Sequence, residues 1–273
     1  MGYAVVSSLS KIIPIFIRIN TKLPIHMKHL CCQCCALVLV LCLSLSFSSA
    51  QDKEALAIIQ RYEHASGLDK ISNEEMSSWH IEATTNMEGV NMDIDMYYQD
   101  STQLYAKVLM GDLELIMTMN GGQNATFTMN GETIPLPKEM AQALQKQLIT
   151  PNSYRWNADD YIFTLADSMQ VGKHICPGVQ IMPKKTVPSL ENSVVYFDPH
   201  SGMPVLLIAT ITEDDTTHQA RCTYEAVKRY GDIKLPSRYV MTIDDSAQPV
   251  MDITIRSFQL GSSMPESLFE GLK

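Results

Sequence analysis

The chain has 273 residues, 45% of them hydrophobic and 19% charged, so it has the length and apolar content for a sizeable core. Its formal charge is −9. An acidic chain without a basic patch is a poor ligand for nucleic acid or anionic lipid surfaces, and both are excluded as expected partners.

Residues 1–50 contain Lys11, Arg18, Lys22 and Lys28 and no acidic residue. Leu30 to Phe47 is almost wholly apolar and closes on Ser48-Ser49-Ala50 before Gln51. A basic start, a short apolar core and small residues at the exit are the parts of a secretory signal peptide. Met27 with Lys28 and His29 would open a signal of ordinary length, which leaves residues 1–26 upstream of the true start. The alternative is an uncleaved membrane anchor, because the apolar run approaches the roughly 18 residues a span needs. The small-residue exit favours cleavage and a periplasmic location. Loss of four basic residues takes the formal charge to −13 and leaves 223 residues, read as one domain over 51–273. Five cysteines leave with the signal, and an oxidising compartment allows the remaining Cys176 and Cys222 to pair if they lie close in space.

Gln51 to Ser66 reads as a helix, with Leu56, Ile59 and Tyr62 on its apolar stripe and Gly67 at the C-terminal cap. Alternating patterns follow. Trp79 to Ala83 opens them, then Met92, Ile94, Met96 and Tyr98 alternate with polar neighbours. Leu104, Ala106, Val108 and Met110 come next, then Leu113, Leu115, Met117 and Met119, then Phe127 and Met129. Glu88-Gly89, Gly111-Asp112 and Asn120-Gly121-Gly122 are turn chemistry. Period two with short turns predicts an antiparallel meander with one apolar and one polar face.

From Pro135 to Ile149 the sheet is interrupted. Leu136, Met140, Leu144 and Leu148 recur every fourth residue, which predicts an amphipathic helix entered at Pro137 and left before Pro151. Strands resume over 161–165, 194–197, 205–212, 220–227, 239–243 and 251–258, and a short helix closes the chain over 265–271. The segment 173–191, with three prolines, carries no clear pattern.

The residues offer little chemistry. No two of His64, His80, His174, His200 and His218 have helical metal-ligand spacing, and no catalytic or phosphate-loop motif occurs. Asp159-Asp160, Asp214-Asp215 and Asp244-Asp245 are adjacent pairs, which point to opposite faces of a strand or fall in turns. Asp93 and Asp95 share a face, and a polar outer surface accounts for them better than a weak calcium site. No catalytic residue, metal or cofactor is expected. Methionine is the unusual feature: Met92, Met96, Met110, Met117, Met119 and Met129 lie in register on successive apolar faces. Such a surface either fills a core or accepts apolar partners of varied shape.

Several stretches together resemble a known family. They are Ala55 to Tyr62 in the helix, Met96-Tyr97-Tyr98, the turn Tyr196 to Pro204, the turn Tyr230 to Ser237, and Pro265 to Phe269. The pattern is similar to the outer-membrane lipoprotein-sorting family, the LolA-like periplasmic lipoprotein carriers and their Bacteroidetes-type relatives. The resemblance implies a mainly β fold with a few helices: a curved antiparallel sheet forming an incomplete barrel, its concave face covered by helices. It implies a non-enzymatic, monomeric carrier whose cavity takes lipoprotein acyl chains or another lipid. On this reading the lining is Met92, Ile94, Met96, Leu113, Leu115, Met117, Met119, Phe127 and Met129, and the lid carries Leu136, Met140, Leu144 and Leu148. The family's carriers hold the lid with a basic residue on an early strand, and Lys107 is the only basic residue in that part of this chain. The alternative is an envelope adaptor that binds a partner protein through a sheet edge or the concave face.

Overall fold

A computed structural model describes residues 52–269 apart from residues 88, 100–101, 122–123, 140, 142–154, 185–192, 214–215 and 245. The expected signal over 1–50, and Met140, Leu144 and Leu148 of the expected lid, lie outside the described residues.

Helix α1 spans Lys53–Ser66. Asp52 caps its N-terminus by accepting the Glu54 and Ala55 N–H groups, and Gly67 ends it in the left-handed region at φ 79°. A 3-10 turn, Leu68–Lys70, and the one-turn α2, Asn73–Met76, follow. Ser72 and Glu75 close a capping box on α2.

Thirteen strands then form one antiparallel sheet. They are β1 (Ser78–Met87), β2 (Val90–Gln99), β3 (Gln103–Met110), β4 (Leu113–Asn120), β5 (Asn124–Met129), β6 (Glu132–Pro135), β7 (Tyr161–Val171), β8 (His174–Pro183), β9 (Ser193–Phe197), β10 (Pro204–Glu213), β11 (Thr216–Tyr230), β12 (Ile233–Ile243) and β13 (Met251–Leu260). The spatial order runs from β6 down to β1, crosses to β13, and continues down to β7. Two meanders are therefore joined by one non-local pairing, β1 with β13, and the sheet stays open at β6 and β7. The antiparallel meanders are what the alternation predicted, and the open, unclosed sheet is what the resemblance implied.

Prolines explain what alternation did not reveal. β8 occupies the proline-bearing segment that carried no pattern. Pro177 falls between the pairs Ala166–Gly178 and Met169–Cys176, opposite a bulge in β7, and β9 pairs only from Gly178 onward. Its missing N–H is therefore needed by neither neighbour. Pro236 sits in β12 where β13 has left the ladder, since that pairing covers only Arg238 to Met241. Tyr230 fills the wedge by donating its hydroxyl to the Ile255 carbonyl at 3.1 Å. β6 ends on Pro135, so the sheet outlasts its expected end, while the closing element is a 3-10 turn over Glu266–Phe269.

The two turns that carried the resemblance seat α1. Arg61 donates to the carbonyls of Pro199 at 2.5 Å and His200 at 3.2 Å, and Gly202 lies close under the Arg61 and Ala65 side chains. The turn between β11 and β12 meets the other end. A Cβ on Gly67 would stand 2.8 Å from the Asp232 carbonyl oxygen. Buried Tyr62 packs with Trp156 and Phe197 at ring separations of 5.2 and 6.0 Å. At the start of the helix, Asp52 also accepts the Leu165 N–H and donates its own N–H to Phe163 on edge strand β7.

Gly67→Ala should lower unfolding stability by about 1–3 kcal/mol in urea denaturation, from left-handed strain plus the Asp232 clash. Gly231→Ala, also at positive φ but with open space around it, should cost less. The Asp52 carboxyl is held below its ordinary 3.8, first by the Leu165 N–H. A depressed folded-state value stabilises above the unfolded value and is lost as pH falls through the folded one. Asp52→Asn should therefore flatten the acid dependence of stability below pH about 4, measured as urea midpoints against pH.

Candidate functional site: the methionine-lined face

The register places the expected lining residues on one side of the sheet. Ile81 opposes Met96, Ala83 opposes Ile94 and Thr85 opposes Met92. Met96 opposes Ala106, Ala106 opposes Met117, and Met117 opposes Phe127. Val108 opposes Leu115, Leu115 opposes Met129, and Met110 opposes Leu113. Directly opposed residues share a face, so Met92, Ile94, Met96, Leu113, Leu115, Met117, Met119, Phe127 and Met129 all point the same way. Ile134 of β6 extends the row from Phe127.

Burial on this face is graded. Ile94, Met96 and Met119 are buried, Met119 completely. Met92, Leu113, Leu115, Met117 and Phe127 are half-buried. Met129 and Ile134 are 50% and 49% exposed. α1 packs against β7, β8 and β12, on the other half of the sheet. Leu136 and Ala141, at the start of the segment expected to be the lid, join the main core cluster. The Leu136 N–H is bonded to the Ala125 carbonyl at 2.8 Å, and Ala141 closes a helical turn onto the Pro137 carbonyl at 3.0 Å.

The opposite face of β1–β6 is polar and cross-linked. His80 meets the Asp95 carboxylate at 2.7 Å and stacks on Tyr97 at 3.9 Å. Arg256 pairs with Asp93 at 2.9 Å, and Thr118 with Thr126 at 2.7 Å. Lys107 lies on this outer side, ion-paired to Glu114. It faces away from the apolar surface.

Cys176 and Cys222 are both free and buried, which corrects the option of a bridge. Cys222 opposes Leu207 and belongs to the main core. Cys176 clusters with Tyr196 and Leu206 on the other face. The sheet itself separates them, and no side-chain rotation crosses it. Burial pushes the Cys222 thiol up to about 12 and also raises that of Cys176, so both are protonated and unreactive at neutral pH.

Sequence reasoning missed this second apolar cluster. Val194, Val205, Ile208, Met169 and Val171 complete it around Cys176, Tyr196 and Leu206. Its signal is the unbroken apolar run in β9 and β10, which leaves no polar face. Tyr196 lies over Gly178, where a Cβ would stand 2.9 Å from its ring.

Among the described residues, no group of three or more His, Cys, Asp or Glu side chains could hold a metal ion. The His174 and His200 rings meet at 4.9 Å. The adjacent Asp198 carboxylate is already engaged by the His200 and Ser201 N–H groups and the Ser201 hydroxyl. Asp160 is held by Asn157 and Asp244 by His218 and the Gln219 N–H; these acidic residues serve turns.

No family model matches the chain, and the comparison with curated proteins found no match. Similar solved structures include a DUF1329 family protein from Desulfovibrio piger, at 11% identity and TM-score 0.49, covering 80% of this chain and 97% of that one. A protein described as an outer membrane lipoprotein-sorting protein domain, from Vibrio parahaemolyticus, has 9% identity and TM-score 0.49, with the same coverage. A LolA superfamily protein from Nitrosomonas europaea has 11% identity and TM-score 0.49, covering 79% of this chain and 96% of that one.

The burial gradient sets an order of mutational cost. Met119→Ala should lower stability by about 2–5 kcal/mol, half-buried Leu115→Ala by less, and Met129→Ala by well under 1 kcal/mol. Urea denaturation of the three variants checks the order. Equal losses at Leu115 and Met119 would mean that Leu115 is packed rather than bordering open space.

Proposed function

We propose that this protein is a non-enzymatic, exported binding protein that holds acyl chains or another apolar ligand against the inner face of β2–β6. One observation supports this reading above the others. At Met92, Leu113, Leu115, Met117, Phe127, Met129 and Ile134 an apolar, methionine-rich surface stays partly exposed, although α1 is available and packs elsewhere. A core that existed only for stability would be covered. Methionine suits a ligand of variable shape, since its unbranched, polarizable chain adapts without a fixed pocket. The amphipathic segment over 137–149 is, on this reading, the cover that yields to ligand. Export rests on the signal-like segment over 1–50, and lipoprotein acyl chains are the ligand class that the sequence resemblance suggests.

The adaptor reading has less support. Strand addition needs a free edge. β6 is only four residues long and ends in proline, and β7 has Phe163 and Leu165 already bonded to Asp52. Both features blunt an edge.

A fluorescent fatty-acid probe should bind the wild type saturably. Leu115→Asp and Met117→Asp put charge on the surface without touching the outer face, and each should weaken binding at least about tenfold, the effect of burying a poorly solvated carboxylate. Circular dichroism confirms that the variants are folded. Absence of saturable binding to folded wild type would remove the carrier reading and leave the adaptor.

A further inference from the structure

The inner face contains two hydroxyls, Thr85 Oγ1 and Ser193 Oγ, that are buried without any hydrogen-bond partner. Both residues are 5% exposed. Buried polar groups are nearly always paired, because an unmade bond costs the full desolvation of the group. Thr85 has no local remedy. Its cross-strand neighbours on the same face are Met92 on β2 and Ile253 on β13. Along β1 the same-face neighbours are Ala83 and Met87. None of the four offers more than a thioether. Valine, which has the same shape and a higher strand preference, would satisfy the packing without the cost.

The two orphans differ in setting. Ser193 lies between Ile181 and Ala209, on the half of the sheet that carries α1. Thr85 borders Met92, the half-buried start of the open methionine surface. The row of directly opposed residues from Met129 through Leu115, Val108 and Ile94 ends at Ala83 on β1, and Thr85 is the next residue of β1 on that face.

We propose that Thr85 is the specificity-determining polar anchor of the apolar site: its hydroxyl donates to the carbonyl of an acyl ester or amide. This inference rests on the acyl-binding reading above and deepens it. The site selects an amphiphile whose chain covers the methionines and whose linkage carbonyl stops at Thr85, over a hydrocarbon that lacks an acceptor. Selection against the ligand without an acceptor arises because such a ligand leaves the hydroxyl unpaired.

The test uses the full mature chain and displacement of the fluorescent fatty-acid probe by methyl octanoate and by undecane. Thr85→Val should raise the thermal midpoint of the ligand-free protein, since an unpaired hydroxyl is removed. It should weaken methyl octanoate about fivefold, the worth of one hydrogen bond, and leave undecane unchanged. Monooctanoylglycerol and an N-octanoyl dipeptide repeat the comparison for a lipid and an acylated polypeptide, and selective loss in either arm supports the assignment and names the source. Ser193→Ala is the control and should leave the ratio of the two affinities at its wild-type value. The assignment is overturned if Thr85→Val weakens ester and hydrocarbon alike, if it weakens neither, or if Ser193→Ala produces the selective loss instead. Failure of every apolar competitor and the probe to bind wild type removes the acyl-binding reading itself, and the anchor with it. Saturable binding with no ester selectivity removes only the anchor.

Discussion

The pairing of β1 with β13 is the constraint on which the molecule depends. Every other strand pairs with its neighbour in sequence through a hairpin or a short connection, whereas this ladder joins segments at opposite ends of the chain. Without it there would be two separate meanders with two separate apolar faces. Its register shifts between Glu82 and Ala83: Glu82 opposes Ser257 and Ala83 opposes Ile255. The extra residue is Arg256. Phe258 and Ile255 are three apart, and an unbroken strand would send them to opposite sides. The bulge brings both into the core and turns Arg256 outward to Asp93. One inserted residue therefore aligns the faces of the two meanders and adds an ion pair on the outside.

Most of the N-terminal half was legible because local chemistry and long-range structure agree there. Turns with Gly89, Gly111 and Gly121 fix hairpin registers, and period two then decides which side each methionine faces. The C-terminal half was harder to read. Pro177 and Pro236 argue against strands until the bulge in β7 and the departure of β13 are known, and both are facts of pairing rather than of sequence. The two cysteines show the same limit. Both sit in strands, but whether they share a face depends on parity carried across β8, β9, β10 and β11. It is carried by the pairs Val179 with Val195, Val195 with Leu207 and Leu207 with Cys222, and a slip of one residue in any of them would reverse the answer.

The stretches that carry the family resemblance turn out to be structural. The turn at Asp198 to Met203 and the turn at Gly231-Asp232 hold the middle and the end of α1, and Gly202 and Gly67 are where those surfaces approach most closely. Such motifs mark how a helix is seated on a sheet. They say nothing directly about what the uncovered half of the sheet accepts. The methionine face has no comparable motif, because what marks it is composition: adaptable apolar side chains at alternating positions, without a fixed spacing of polar groups.

This division of the molecule has an energetic logic. The half under α1 contains the completely buried Phe163, Phe197 and Leu235 and supplies stability without reference to any ligand. That frees the other half to remain undercovered. A protein that sealed its methionine face with rigid aromatics would be more stable, but an entering chain would have to displace those contacts, and apparent affinity would fall by the fraction of time the face stays closed. A half-buried surface lies near the balance point, where covering it and vacating it differ by only a few kcal/mol. A buried hydroxyl without a partner moves that balance toward the ligand-bound state, because the empty protein bears its desolvation and a carbonyl relieves it. Thr85 thus belongs with the half-exposed methionines: both are places where the folded chain alone is less than fully satisfied, and both stand on the face that α1 leaves open.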